Sequence, residues 1–293
     1  MIYVLIGFII VCISYFLYKA YKNTQDIQIN KINILPDSTK QFPSLSILHL
    51  SDLHLENISL TPSQLASKLK DESVDIVALT GDFLDRKRSI PKLLPYLDVL
   101  QDMKPAYGIY AVLGNHDYVL KPEDLAELMT VLQEHDIHVL QNESETISVH
   151  GQLLNIVGID DDSTNRSDVT LAYQDVQEGT GTTVVLTHDP NVVLHMQGYR
   201  FDFLMAGHFH GGQICYPKAY HLAKMGRLAK QNVIKGLHMH HETPFYISEG
   251  LGQTGLNIRI GSRPEITFHQ IPLSHSKRAS FKRLNSSAAG SST

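Results

Sequence analysis

Five short apolar runs, each broken off by a residue of the metal-binding kind, limit what this chain can fold into more than any other feature. Leu45-Ser-Ile-Leu-His-Leu50 ends in Ser51-Asp52-Leu53-His54, and Asp75 to Thr80 runs straight into Gly81-Asp82-Phe83-Leu84-Asp85-Arg86. Gly108 to Leu113 opens into Gly114-Asn115-His116-Asp117, Thr182 to Leu186 ends in Thr187-His188-Asp189-Pro190, and Phe201 to Ala206 leads to Gly207-His208-Phe209-His210-Gly211-Gly212. Runs of Val, Ile, Leu and Ala at this length read as strands covered on both faces. In sheets that alternate with helices, ligand sites form at the carboxyl ends of the strands. In an extended backbone, residues two apart share a side, so Asp52 pairs with His54 and His208 with His210.

Helical patterns separate the first strands. Thr61 to Glu72 has Thr61 as N-cap, Pro62 at the first position and Leu65 and Leu69 on one face. Pro91 to Met103 is a second helix, bent at Pro95 or starting after it. Pro122 to Glu134 is a third, with Leu125, Leu128, Met129 and Leu132 as its apolar stripe. Then Ile137 to Leu140, Glu145 to His150 and Gln152 to Ile159 read as short strands turning near His150-Gly151, which suggests a second, more antiparallel sheet. Val169 to Val176 reads as helical, and Glu242 to Ser248 and Glu265 to Ile271 are the last strands. Asp160 to Asp162 read as an acidic turn with a structural role.

At 293 residues, 43% apolar and 19% charged, the chain is globular, and its net charge of −5 excludes a general binder of nucleic-acid polymers. Cys12 and Cys215 lie in an apolar run and in the turn after the histidine pair, so no disulfide is expected. Ile2 to Tyr18 is apolar apart from Gly7, Ser14 and the tyrosines, close to the ~20 residues a helix needs to cross a bilayer. No Lys or Arg precedes this run and no small-x-small site follows it, so it reads as an uncleaved anchor rather than a signal peptide. Lys19, Lys22, Lys31 and Lys40 follow it, which keeps the rest of the chain on the cytoplasmic face as a single-pass protein of the cell membrane. The expected organisation is an anchor over 1–22, a connector over 23–41 that contains Pro36 and has room for an edge strand at Ile27 to Ile34, a catalytic domain over 42–272 and a disordered tail over 273–293. Lys277, Arg278, Lys282 and Arg283 surround Phe281 in that Ser-rich tail.

Asp52, His54, Asp82, Asn115, His188, His208 and His210 together suit two metal ions better than one. A carboxylate can bridge two cations, and mixed O and N donors without a thiolate favour manganese, iron or zinc, manganese first. Two such ions ~3.5–4 Å apart activate a water for in-line attack at phosphorus, with no Ser or Cys nucleophile needed.

In order, Asp52-Leu-His54, Gly81-Asp82 with Asp85-Arg86, Gly114-Asn115-His116, His188 and Gly207-His208-Phe-His210 resemble the motifs of the calcineurin-like metallophosphoesterase superfamily, over roughly Ser46 to Ile271. The resemblance implies an α/β fold: a four-layer α-β-β-α sandwich of two mixed sheets flanked by helices. It also implies that Asp52, His54, Asp82 and His210 hold one metal, that Asp82 bridges, and that Asn115, His188 and His208 complete the second site. His116 resembles the histidine that contacts the scissile phosphate or protonates the leaving group, with Asp85 orienting it, and Arg86 stands where a phosphate-binding Arg is found. Lys87 replaces the Gly that usually follows that Arg. Gln213-Ile214 with Pro217, then Ser248-Glu-Gly250-Leu-Gly252 and Arg263-Pro264-Glu265-Ile266, are similar to the small membrane-associated bacterial branch that includes UDP-2,3-diacylglucosamine pyrophosphatases.

The expected function is a membrane-anchored, dinuclear metal-dependent phosphohydrolase acting on a phosphorylated lipid or nucleotide, with no obligate protein partner evident. The alternatives are a phosphodiesterase of a soluble nucleotide and a catalytically inactive membrane scaffold; the filled ligand positions oppose the latter. Tyr216 to His241 mixes Tyr220, Leu222, Met225, Leu228, Val233, Ile234 and Leu237 with Lys218, Lys224, Arg227, Lys230 and Lys235. It reads either as a surface excursion covering the domain edge or as a basic, apolar lid that receives a phosphorylated lipid at the membrane. His238, His240 and His241 add no third metal site, because the seven ligands already complete a set for two.

Overall fold

The structure, a computed structural model, describes residues 1–34, 43–177 and 179–273. The chain-order elements are α1 (Ile2–Lys22), β1 (Gln28–Asn33), β2 (Ser44–Leu50), α2 (Pro62–Leu69), β3 (Ile76–Thr80), α3 (Ile90–Asp102), β4 (Ile109–Val112), α4 (Pro122–Glu134) and β5 (Ile137–Val139). They continue with β6 (Glu143–Val149), β7 (Gln152–Ile159), α5 (Val169–Ala172), β8 (Thr182–Thr187), β9 (Phe203–Ala206), α6 (Arg227–Lys230), β10 (Gly236–His240), β11 (Thr243–Ile247) and β12 (Glu265–Pro272). Two six-stranded mixed sheets result, ordered β1-β12-β2-β3-β4-β5 and β10-β11-β9-β8-β7-β6.

Period-two alternation in the buried strands sorts their side chains into two layers. Leu48 and Leu50 of β2, Val77 and Leu79 of β3, and Ile109 and Ala111 of β4 point outward under α2, α3 and α4, packing on Leu65, Leu93, Leu97, Leu128 and Leu132. Ile47, Ile76, Ala78 and Val112 point the other way and meet Leu154, Ile156, Val184, Leu186, Phe203 and Met205 of the second sheet. Beyond that sheet, Val157, Val185, Leu204 and Phe245 are covered by Ala172, Val192, Val193, Leu222 and Leu228, which sit on short helices and turns. These are the four layers of an α-β-β-α sandwich.

The local rules act where the sequence places them. Thr61 caps α2 reciprocally: Gln64 N–H donates to Thr61 Oγ1 (3.3 Å) and Thr61 N–H to Gln64 Oε1 (2.9 Å). Pro95 neither ends nor delays α3, which starts at Ile90. The ring sits on the helix's exposed face, so the carbonyl it leaves unpaired can be met by water. Three expectations are corrected. Ile137–Val139 belongs to the first sheet, pairing parallel to β4 with Ile109 opposite Ile137, because α4 carries the chain back to start a new parallel strand. The second sheet is parallel through β7-β8-β9-β11 and antiparallel only at its two ends, where tight turns join β6 to β7 and β10 to β11. The helix at Val169 stops at Ala172; Asp168 caps its start, accepting Leu171 N–H at 2.9 Å, but Tyr173 leaves the helical conformation.

The segment after α1 does more than connect. β1 adds a parallel edge strand against β12, and Pro36 and Lys40 lie outside the described residues, as does the basic tail around Phe281. Helix α1 is long and apolar enough to cross a membrane, and all of it but Ala20 is free of the folded body. Ala20 and the turn after it are fastened: Arg259 N–H donates to Ala20 O (2.9 Å), and Asn23 Nδ2 donates to Arg259 O (2.7 Å). Cys12 and Cys215 are both free.

Candidate metal centre

Neighbouring strands deliver the site from both sheets. β2, β3 and β4 lie side by side and end in the loops of Asp52 and His54, of Asp82 and Asp85, and of Asn115 and His116. β8 and β9 lie side by side in the other sheet and end at His188 and at His208 and His210. Close approach of the loops requires glycine at two points: a Cβ on Gly207 would collide with Ser51 Oγ and the Asp52 carboxylate, and one on Gly114 with Asp82. Asp52, His54, Asp82, His208 and His210 all hold positive φ, between 39° and 75°. Left-handed backbone at non-glycine residues costs free energy, and its concentration here marks a functional site.

The donor atoms converge. One set of atoms from Asp52, His54, Asp82 and His210 lies mutually within 4.8 Å, and all four residues are buried. His54 Nε2 is 3.3 Å and His188 Nε2 3.1 Å from Asp82 Oδ2; His210 Nε2 is 3.3 Å from Asp52 Oδ1. His208 Nδ1 is 3.2 Å from His188 Nε2. Asn115 lines the same cavity, about 160 Å³ in volume, together with Asp82, His116, His208 and His210.

The second set of hydrogen bonds fixes tautomers and so tests whether cations fit. His188 Nδ1 sits 2.7 Å from Thr80 O, a carbonyl that can only accept, so Nδ1 carries the proton and Nε2 presents a lone pair to Asp82. His54 Nδ1 is 3.0 Å from Asp85 Oδ1, which turns the His54 Nε2 lone pair toward Asp82 as well. Among the described residues, His54 Nε2, Asn115 Oδ1 and His210 Nδ1 are buried without a hydrogen-bond partner. Lone pairs facing carboxylates in a buried cluster call for positive charge between them. Without metal the protein supplies it as protons. Burial opposes charge on His54, yet contacts with Asp82 and Asp85 outweigh it and push the ring up to about 10. Burial likewise opposes charge on His188, and Asp82 again raises it well above the ordinary value. Burial would raise Asp82, but His188 and His54 hold it well below the usual carboxylate range. Burial and neighbouring histidines push His208 down to about 3, and burial with His54 and Arg259 nearby holds His210 well below its ordinary value, so both rings are neutral and able to coordinate. The residues present fit a group of divalent cations.

His116 and Asp85 flank the cluster. Asp85 Oδ1 accepts from both His54 and His116, the latter Nδ1 at 3.1 Å, and His116 N–H donates to Asp82 Oδ1 at 2.8 Å. Burial opposes charge on His116, but Asp85 and Asp82 raise its affinity for a proton. Arg86 is exposed and does not line the cavity, and the Lys87 beside it pairs with Asp124 (2.7 Å) and Glu127 (3.1 Å).

Four supporting residues escaped the sequence reading. Fully buried Asp117 accepts Asp82 N–H, Phe83 N–H and Gly114 N–H, each at 2.9 Å, joining two ligand loops; it directly follows Gly114-Asn115-His116, which is the only hint of it in the sequence. Thr80 orients His188, and Ser51 donates to Asp52 Oδ2. Arg259, buried without a carboxylate partner among the described residues, donates to Glu249 O, Gly250 O and Gly252 O, bracing the loop behind Asp52, and no motif announces it. Asp160 to Asp162 behave as a structural turn: Asp160 accepts from Tyr118 (2.7 Å), and Asp161 from Thr164 N–H (2.9 Å).

Comparison with known proteins agrees with this geometry. Residues 45–212 match the family of calcineurin-like phosphoesterases. The uncharacterized metallophosphoesterase YkoQ of Bacillus subtilis is 60% identical over 257 residues, covering 87% of this chain and 94% of that protein. UDP-2,3-diacylglucosamine pyrophosphatase LpxG of Chlamydia trachomatis is 27% identical, with 82% of this chain and 88% of that protein covered. A transmembrane protein with a metallophosphoesterase domain from Bos taurus is 28% identical over 76% of this chain and 52% of its own length. This chain belongs to the calcineurin-like phosphoesterases, hydrolases of phosphoester bonds that work with a dinuclear divalent metal site.

Proposed function

We propose that this protein is a membrane-anchored phosphohydrolase that cleaves a phosphoester or pyrophosphate bond in a lipid-linked or nucleotide-linked substrate presented at the cytoplasmic face of the cell membrane. The observation that carries the reading is the set of unpaired or carboxylate-facing donor atoms on His54, His188, His210 and Asn115, gathered around Asp82 from two sheets. Asp52, His54, Asp82 and His210 would hold one cation, and Asn115, His188 and His208 would hold the other together with Asp82. Bound there, two cations, with manganese favoured by the mixed O and N donors, supply an activated water and neutralise charge on the phosphate. The chain's own residues do the rest. Asp85 fixes the His54 and His116 rings by accepting from their Nδ1 atoms, leaving His116 Nε2 to contact the phosphate or protonate the leaving oxygen. Arg86, exposed beside this pair, reaches a phosphate oxygen only when a substrate extends that way.

The membrane assignment is supported by the position of α1. Its fastened end lies on Arg259; the next residue, Ile260, donates its N–H to Gln213 O, and Gln213 and Thr254 line the cavity at the ligands. Around the same edge, Ile214, Tyr216, Tyr220 and Leu256 are exposed apolar or aromatic side chains, as suits a surface resting at a lipid boundary. Lys19 and Lys22 in the last turn of α1 favour the cytoplasmic side. The similarity to LpxG favours a lipid-linked pyrophosphate over a soluble nucleotide.

The test is hydrolysis of bis(p-nitrophenyl) phosphate by full-length protein in detergent with added manganese. Turnover that vanishes with chelation and in Asp82→Asn is expected; wild-type protein without turnover across manganese, iron and zinc would overturn the reading.

A further inference from the structure

Resting on the phosphoesterase reading, a second inference concerns what else the substrate carries. A cavity of about 580 Å³ opens beside the smaller one and shares His208 and Met225 with it. Lys224 and Arg227 stand on its rim, both exposed and neither in an ion pair among the described residues. Exposed cations are ordinarily solvated surface charges; these two differ in how the backbone beneath them is fixed. Asn191, buried in the loop after His188, donates through Nδ2 to Met225 O (2.9 Å) and accepts Leu228 N–H at Oδ1 (3.1 Å). Leu222 and Leu228 are buried on either side of that turn. One amide therefore straps the cationic turn to the loop of a metal-ligand residue, while both long side chains stay free to move.

The acidic residues of the wall, Asp162 and Asp189, form no ion pair with either cation among the described residues. Asp189 Oδ1 is taken by Asn191 N–H (2.9 Å) and Nδ2 (2.7 Å), and Asp162 accepts from Ser167 and lies 4.0 Å from His195. Lys224 and Arg227 are thus free of ion pairs among the described residues, on the rim of a cavity that His208 also lines. A simple phosphodiester held at the cluster would leave this charge unused.

We propose that Lys224 and Arg227 form an anion subsite for the second phosphate of a pyrophosphate-linked substrate, the phosphate that is not attacked. Water's oxygen joins the attacked phosphorus and the bond from that phosphorus to the bridging oxygen breaks. Two monophosphates result, the second keeping the bridging oxygen, and water's protons pass to them or to solvent. Charge-assisted bonds from Lys and Arg to phosphate oxygens hold the departing half and favour pyrophosphate over single phosphate groups.

Calorimetric binding to the manganese-loaded full chain tests this without turnover, so that its failure is distinct from absence of phosphoesterase activity. ADP is compared with AMP, and farnesyl diphosphate with farnesyl monophosphate, in wild type and in Lys224→Gln/Arg227→Gln, whose exposed positions leave folding intact. In at least one pair the wild type should bind the diphosphate about tenfold or more tightly than the monophosphate, and the double variant should reduce that ratio below about threefold. The pair with the larger wild-type ratio assigns the subsite to nucleotide-linked or lipid-linked substrates. Wild-type ratios below tenfold in both pairs, or a ratio that stays at threefold or more in the double variant, would overturn the subsite.

Discussion

The two outer faces of the sandwich are covered in different ways. On the first sheet, α2, α3 and α4 bury a continuous layer of leucines, and the ligand loops are tied together by Asp117. On the second sheet the cover is α5, α6 and short turns at Pro190–His195 and Tyr220–Lys224. The larger cavity is walled by residues that follow β7, β8 and β9, and the smaller one lies where those meet the Asp82 and Asn115 loops of the first sheet. Short surface segments of that kind can vary without disturbing the packed base that carries the Asp52, Asp82 and Asn115 loops.

The largest effect that could break this division is expected at Asp82, whose carboxylate faces His54 from one sheet and His188 from the other. Asp82→Asn should lower kcat/KM on a chromogenic phosphodiester by roughly 10³-fold or more and reduce bound metal, because it removes charge from both positions at once. Retention of both in this variant would show that the cluster is not the active centre. Next in size is His116→Ala, expected to cost roughly 10²–10⁴-fold in turnover while metal content stays near wild type, since the side chain lies at the rim of the cluster. Metal loss in this variant, measured by atomic emission, would move His116 among the ligands.

Stability sharpens the comparison. Leu97→Ala, in the fully buried layer under α3, should destabilise the fold by about 2–5 kcal/mol in urea unfolding, and Leu228→Ala, under the four-residue α6, by less. Equal losses would mean that the two covers are equally tight.

The smallest predicted effect lies between the sheets, where His49 and His269 are packed without solvent. Burial pushes His49 down to about 3 from an ordinary 6.5, and burial with His49 beside it pushes His269 well down too. The unfolded chain therefore binds protons that the folded chain does not, and stability is lost as pH falls from 6.5 toward 3, at about 1.4 kcal/mol per pH unit from His49, with His269 acting in the same direction. Glu265 has the opposite sign: burial raises it from 4.5 to about 6, so its contribution is full below 4.5 and lost as pH rises through 6. His49→Gln should make the acid-side loss shallower by about one proton, and an unchanged slope in urea unfolding between pH 7 and 4 would show that His49 is not held neutral.

What could be read from the sequence follows the same division. Residues whose chemistry is local, such as Asp52-Leu-His54 or Gly207-His208-Phe-His210, announce themselves, because strand ends place such pairs on one side whatever lies around them. Thr61 as the N-cap of α2 was legible for the same reason. Ile137–Val139 was assigned to the wrong sheet, since three similar short runs carry no local mark of which edge each will join. Arg259 was invisible because its meaning lies in three carbonyls of a loop folded back upon it. Asn191 reads as an ordinary loop residue until Met225 and Leu228 are seen against it.

The most direct test is anomalous diffraction from crystals grown with manganese. Two peaks are expected, one among Asp52, His54 and His210 and one among Asn115, His188 and His208, with the Asp82 carboxylate touching both. A single peak, or two peaks with Asp82 bound to neither or to only one, would contradict the account.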